Sequence, residues 1–117
     1  MGHVWVKTKI GNPEITKVLE VEALVDTGAT LTVIPRKIAE SLEIPIVGKN
    51  IVETAAGKIE IDRGRAWIEI MGKGEIVPVL ISDVIEKVLI GITVLEILGL
   101  RVDPITGKLV EWTLLLY

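Results

Sequence analysis

Ala23-Leu24-Val25-Asp26-Thr27-Gly28-Ala29-Thr30-Leu31-Thr32-Val33-Ile34-Pro35 is the stretch on which the fold turns. An apolar run enters an acidic residue and a glycine, then resumes as a second, β-branched apolar run. That order places one carboxylate, Asp26, at the end of a buried strand and inside a tight loop. The Thr27 hydroxyl and the backbone N–H groups around Gly28 are its natural donors. Gly28 lets backbone come close to the carboxylate or to a ligand. A carboxylate held this way is positioned rather than solvated. The tripeptide alone has a plainer reading, because Asp and Gly also favour ordinary turns. Its surroundings decide between the two.

Upstream, Val4, Val6, Thr8 and Ile10 alternate with Trp5, Lys7 and Lys9, the period-two pattern of a half-buried strand. Gly11-Asn12-Pro13 is a turn signal, and residues 16–25 read as the next strand. Downstream, Pro35 stands at the first position of a short predicted helix over residues 35–42, with Ile38 and Leu42 on one face. Residues 46–54 and 58–71 read as two strands around a hairpin tip, Ala55-Ala56-Gly57. Gly72-Lys73-Gly74 predicts a second tight turn, and residues 75–82 a strand in which Pro78 indicates an edge or a bulge. Thr93-Val94-Leu95-Glu96 has the form of a capping box, opening a helix that Gly99 stops. Residues 100–103 read as a strand, 103–107 as a turn and 108–117 as a last strand. With no linker and no repeat, the pattern predicts one small all-β domain over residues 1–117, with two short helices and a closed or nearly closed sheet.

Composition narrows the chemistry. The chain has 117 residues, half of them apolar, which is enough for a core without staples. It has no cysteine, which excludes disulfides, thiolate metal sites and a Cys nucleophile. His3 is the only histidine, so a His-rich metal site and a Ser-His-Asp triad around a buried His are excluded as well. The net charge is −3, with the 13 Lys and Arg spread along the chain, which disfavours nucleic acid as a partner. No uncharged stretch approaches the ~20 apolar residues of a spanning helix. Residues 1–7 lack the features of a signal peptide. The expectation is a cytoplasmic protein with no membrane partner, whose chemistry rests on carboxylates, Lys, Ser, Thr or a bound cofactor.

The Asp-Thr-Gly-Ala loop between two apolar strands, the hairpin with Thr54-Ala55-Ala56-Gly57, and Val88-Leu89-Ile90-Gly91 leading into a short helix occur here in a set order. In that order and spacing, residues 4–103 resemble the retroviral-type (retropepsin-like) aspartic peptidases, cellular and prokaryotic members more than viral ones. The resemblance implies a small closed acid-protease barrel, one lobe per chain. It implies Asp26 as the catalytic aspartate and Thr27 as a brace against the same loop of a second subunit. Gly28 would supply backbone near the carboxylate, and Ile90 and Gly91 would support the loop from below. Ala29 and Thr30 would line the substrate, and the hairpin over residues 51–61 would form a flap that meets it through Ala55, Ala56 and Gly57. Neither metal nor organic cofactor is implied.

Two carboxylates a few Å apart share one proton, and that mechanism needs both. This chain has one such loop. Asp62, Asp83 and Asp103 sit in no Asp-Thr-Gly setting, and Asp103 before Pro104 reads as a turn former. A working site therefore implies a homodimer that hydrolyses peptide bonds through two copies of Asp26. Departures from the viral pattern are Thr30 and Leu31, where acidic residues are usual, and a flap with one glycine. Trp112 and residues 114–117 fit either a dimer interface or a strand paired within its own subunit. A peptide-binding or dimerisation module of the same fold with little or no turnover is the alternative function. An unrelated barrel with Asp26 in a plain turn is a third reading.

Overall fold

The computed structural model describes residues 3–112. The first strand, β1 (Val4–Gly11), buries Thr8 and Ile10 and half-buries Val4 and Val6, while Trp5, Lys7 and Lys9 are exposed. The turn after it is built on Asn12. Its side-chain oxygen accepts the N–H groups of Thr16 and Lys17 at 2.9 and 3.2 Å, and its amide donates to the Thr16 hydroxyl at 2.7 Å. The chain returns antiparallel as β2 (Val18–Val25). Residues 26–31 then loop into β3 (Thr32–Pro35), which is buried throughout.

Helix α1 (Arg36–Ser41) follows with Pro35 at its N-cap, one position earlier than the sequence predicts. β4 (Ile46–Thr54) matches its predicted bounds and pairs antiparallel with the long β5 (Gly57–Ile70). The next turn is Met71-Gly72, both with positive φ, rather than Gly72-Lys73-Gly74. β6 (Lys73–Ser82) therefore begins two residues earlier than predicted. After it come β7 (Leu89–Ile90), α2 (Ile92–Leu98), β8 (Leu100–Val102) and β9 (Leu109–Glu111).

The strands run in the order β1-β2-β7-β3-β6-β5, and β5 pairs back onto β1 from Thr8↔Ile70 to Gly11↔Trp67. The sheet thus closes into a ring, as expected, and β4 hangs outside it on β5 alone. Closure leaves few free edges. Pro78 is accommodated because β3 covers β6 only from Val79 onward, so no N–H is needed from residue 78 on that side. Ile10, Ile34, Ile68, Ile70, Val79, Ile81, Ile90 and Leu95 fill the interior with no more than 1 % exposure. Each contributes about 1.5–3 kcal/mol by leaving water.

Two details depart from the sequence reading. α2 has no side-chain cap at its start, so Thr93-Val94-Leu95-Glu96 is not a capping box here. Its first N–H groups are satisfied by the loop at 29–30 instead, as described below. Its end is as predicted, with Gly99 in the left-handed conformation at φ 69°. Of the predicted last strand over residues 108–117, the described residues, which end at Trp112, keep only part. β9 spans three residues and pairs with β8 of its own chain, and the exposed Trp112 donates its N–H to the Gly99 carbonyl at 3.0 Å. Residues 114–117 lie outside the described residues. Among the described residues, no helix is long and apolar enough to cross a membrane.

Candidate active site

Asp26 follows the last residue of β2. Its N–H donates to the Ile90 carbonyl at 2.9 Å, extending the parallel pairing of Val25 with Ile90 by one bond. The loop then turns tightly, with the Ala29 N–H donating to the Asp26 carbonyl at 3.1 Å. One carboxylate oxygen of Asp26, Oδ1, accepts the Gly28 N–H at 3.0 Å. The side chain is half-buried, while Thr27, Gly28 and Thr30 are exposed and Ala29 is half-buried.

The segment after β7 fixes the rest of the loop. The Ala29 and Thr30 carbonyls accept the N–H groups of Ile92 and Thr93 at 2.8 and 3.1 Å. These are the first two residues of α2, whose N–H groups have no partner inside the helix. The helix start and the loop therefore satisfy each other. Between them, the Gly91 N–H donates to the buried Thr32 hydroxyl at 3.1 Å. Asp26, Thr27, Gly28, Ile90 and Gly91 thus come together as one unit.

A cleft of about 470 Å³ opens beside this loop. Gly28, Ala29, Thr30, Leu31 and Val33 form one wall, β4 forms the other through residues 50–53, and Leu80 lies between. Apart from Thr30, Asn50 and Glu53, these side chains are apolar or absent. A slightly larger cleft, about 520 Å³, lies between α1 and residues 82–86 and contains no residue of the Asp26 loop. The smaller cleft is the one that borders the Asp26 loop. Ala55, Ala56 and Gly57 do not line it. They form the exposed tip of the β4–β5 hairpin, where the Thr54 hydroxyl donates to the Gly57 carbonyl at 2.8 Å and accepts the Ala56 N–H at 3.2 Å.

Among the described residues, no three His, Asp or Glu side chains are placed to share a metal ion. The aspartyl protease family model matches residues 6–104. The chain belongs to that family. Sequence comparison with curated proteins finds no match. Solved structures of similar fold are retropepsin-like. The EIAV protease complexed with the inhibitor HBY-793 superimposes with a TM-score of 0.64 at 21 % identity, covering 84 % of this chain and 89 % of its own. A retropepsin-like aspartic protease from Rickettsia conorii gives 0.62 at 18 % identity, with coverages of 87 % and 77 %. The retroviral protease-like domain of Ddi1 from Leishmania major gives 0.57 at 17 % identity, with coverages of 92 % and 88 %. The fold of this aspartyl protease family chain is thus the retropepsin-like one.

Several residues of this family member's site escaped the sequence reading. Leu31, Val33, Val52 and Leu80 line the cleft from one loop and three strands. The alternation in β4, which half-buries Gly48, Asn50 and Val52, is the signal that marks its inner face. Thr32 reads as one more β-branched strand residue, yet its hydroxyl is the internal partner of Gly91.

Proposed function

We propose that this chain is one half of a homodimeric aspartic endopeptidase. The observation that carries the reading is the Asp26 carboxylate, oriented by the Gly28 N–H in a loop locked to residues 90–93 and opening beside a cleft. One chain supplies one such carboxylate, so a two-fold axis would set Asp26 opposite Asp26 of the partner subunit. Close carboxylates cannot both ionise, and the pair holds one proton. The ionised member takes a proton from water as the water oxygen bonds to the scissile carbonyl carbon. The protonated member gives its proton to the carbonyl oxygen. The tetrahedral diol then collapses: one diol hydroxyl gives its proton to the ionised member, the C–N bond breaks, the amine leaves with the proton of the protonated member, and the pair again holds one proton. Neither metal nor organic cofactor takes part.

The exposed Thr27 would brace the two loops across the axis. An extended peptide would lie along the cleft with Ala29 and Thr30 beside it. The β4–β5 hairpin would act as a flap, with Ala55, Ala56 and Gly57 reaching substrate on closure and pairing with its backbone. The apolar walls would favour apolar side chains flanking the cleaved bond.

The test is cleavage of a peptide library from acid to neutral pH, with Asp26→Asn run in parallel. Cleavage by the wild type and none by the variant is the expected result. No cleavage by either protein overturns the endopeptidase reading in favour of a peptide-binding or dimerisation module.

A further inference from the structure

The β4–β5 hairpin is supported by the barrel only up to a definite point. Asp62 is the first residue of β5 with a partner in β6, namely Ile81. Residues 57–61 pair with β4 alone, and residues 53–60 are all exposed. Past Asp62 the inner face of the hairpin is half-buried at Asn50, Val52 and Ile61, but no residue there pairs with β6. The angle is decided where it leaves the barrel.

Two guanidiniums sit near that point: Arg63 bonds Asn50 within the hairpin itself, and Arg36 ties the hairpin to the rest of the barrel. Arg36, the first residue of α1, donates from Nη2 to Asp62 Oδ2 at 2.9 Å. It also grips Asp83, one residue past β6, through Nε–Oδ1 at 2.7 Å and Nη2–Oδ2 at 3.2 Å. The other Asp62 oxygen lies 3.7 Å from Lys49 Nζ, and Lys49 is the β4 residue opposite Asp62. Arg36 thus joins α1, the end of β6 and, through Asp62, both strands of the hairpin. The Asp62 and Arg36 side chains are only 18 % and 27 % exposed, so this contact is less screened than a surface pair. A planar fork with several donors suits such a junction, and an ammonium does not replace it.

The same strand that carries Lys49 forms the cleft wall at residues 50–53. A change in the hairpin's angle at Asp62 therefore changes the width of the cleft beside Asp26. We infer that Arg36 is a positioning residue, a clasp that fixes the hairpin's angle at Asp62 and so sets how the cleft receives substrate. Its effect on peptide affinity rests on the endopeptidase reading; its effect on the hairpin does not.

The experiment compares wild type, Arg36→Gln, Arg36→Lys and Asp62→Asn by amide hydrogen exchange and by peptide-cleavage kinetics. In Arg36→Gln and Asp62→Asn, amides of residues 51–60 exchange at least about tenfold faster, while those of residues 66–70 and 77–81 keep their protection. KM rises several-fold and kcat stays within about twofold. Arg36→Lys falls between. A variant that combines Arg36→Gln with Asp62→Asn exchanges no faster in the hairpin than either single one, because both remove the Arg36–Asp62 contact. Unchanged hairpin exchange in Arg36→Gln overturns the clasp, as does an equal rise throughout the barrel. Absence of cleavage by the wild type sinks the endopeptidase reading, and the exchange measurement still decides the clasp.

Discussion

Gly91 lies directly against the backbone of Leu31. A Cβ placed on Gly91 would sit 2.5 Å from the Leu31 carbonyl carbon and 2.7 Å from its oxygen. The backbone of Gly91 is extended, at φ −86°, so the constraint is space and not conformation. The listener on the other side of this contact is backbone, which cannot swing aside as a side chain can. Gly91→Ala therefore forces the Asp26 loop and the start of α2 apart. The expected cost is about 1–3 kcal/mol of unfolding free energy, read from the urea midpoint, together with loss of any activity that depends on the loop. A variant as stable as wild type shows that the loop can yield at this point.

Thr32 tests the same junction by chemistry rather than size. Its side chain is buried and accepts the Gly91 N–H. Thr32→Val keeps the shape and removes the acceptor, leaving a buried donor without a partner. The expected loss is about 1–3 kcal/mol. Thr32→Ser keeps the hydroxyl and loses a methyl, so it retains protection of the Gly91 amide against hydrogen exchange. Equal exchange at Gly91 in the Val variant and in wild type contradicts the assigned bond.

Much of this architecture was legible because it is local. The alternation of Val4, Val6, Thr8 and Ile10 marks the inner face of β1, and residues 46–54 carry their strand bounds in plain sight. The Asp26 loop announces itself by an acid and a glycine between two apolar runs. What was not legible depends on distant partners. Thr93 and Glu96 look like a cap, but the N–H groups at the start of α2 go to carbonyls more than sixty residues upstream in sequence. The cleft wall joins Leu31, Val52 and Leu80, and Arg36 meets Asp62 and Asp83, pairings that no single-segment periodicity encodes. The turn at Met71 was missed because a left-handed methionine runs against the usual preference for Gly and Asn.

Two carboxylates outside the site give the stability a defined acid dependence. The bond from Arg36 holds Asp83 below the usual carboxylate range, and the Ile105 N–H, helped by Thr106, does the same for Asp103. A depressed folded-state pKa stabilises above the unfolded value, about 3.9, and that contribution disappears as pH falls through the folded value. The urea midpoint of the wild type, at fixed protein concentration, therefore declines below about pH 4. Asp83→Asn and Asp103→Asn each make that decline shallower. Identical slopes in all three proteins contradict these two contributions.

Met71 occupies the first central position of the two-residue turn between β5 and β6, at φ 53°, followed by Gly72 at φ 78°. Positive φ at both positions fits the twist of a hairpin, and Asn is favoured at the first. The methionine side chain is about half exposed, so little packing is lost on replacing it. Met71→Asn relieves a left-handed conformation that costs a bulky residue about 1 kcal/mol. The expected result is a rise in thermal midpoint with no change in peptide cleavage. A fall shows that the methionine packs more than its exposure implies.

The proposed dyad makes a quantitative prediction for mixed dimers. Asp26→Asn is nearly isosteric, so the variant chain should pair with wild type as readily as with itself. If each dimer needs Asp26 from both chains, a mixed dimer has one carboxylate and an amide that cannot act as a base. At fixed wild-type concentration, with subunits free to exchange, random pairing then leaves activity at about half when an equal amount of variant is added. A fourfold excess leaves about one fifth, by the same pairing. A site complete within one chain behaves differently, because added variant leaves its activity unchanged. A titration that stays flat, with subunit exchange verified by mass-labelled protein, rejects the shared site even if the wild type cleaves peptides.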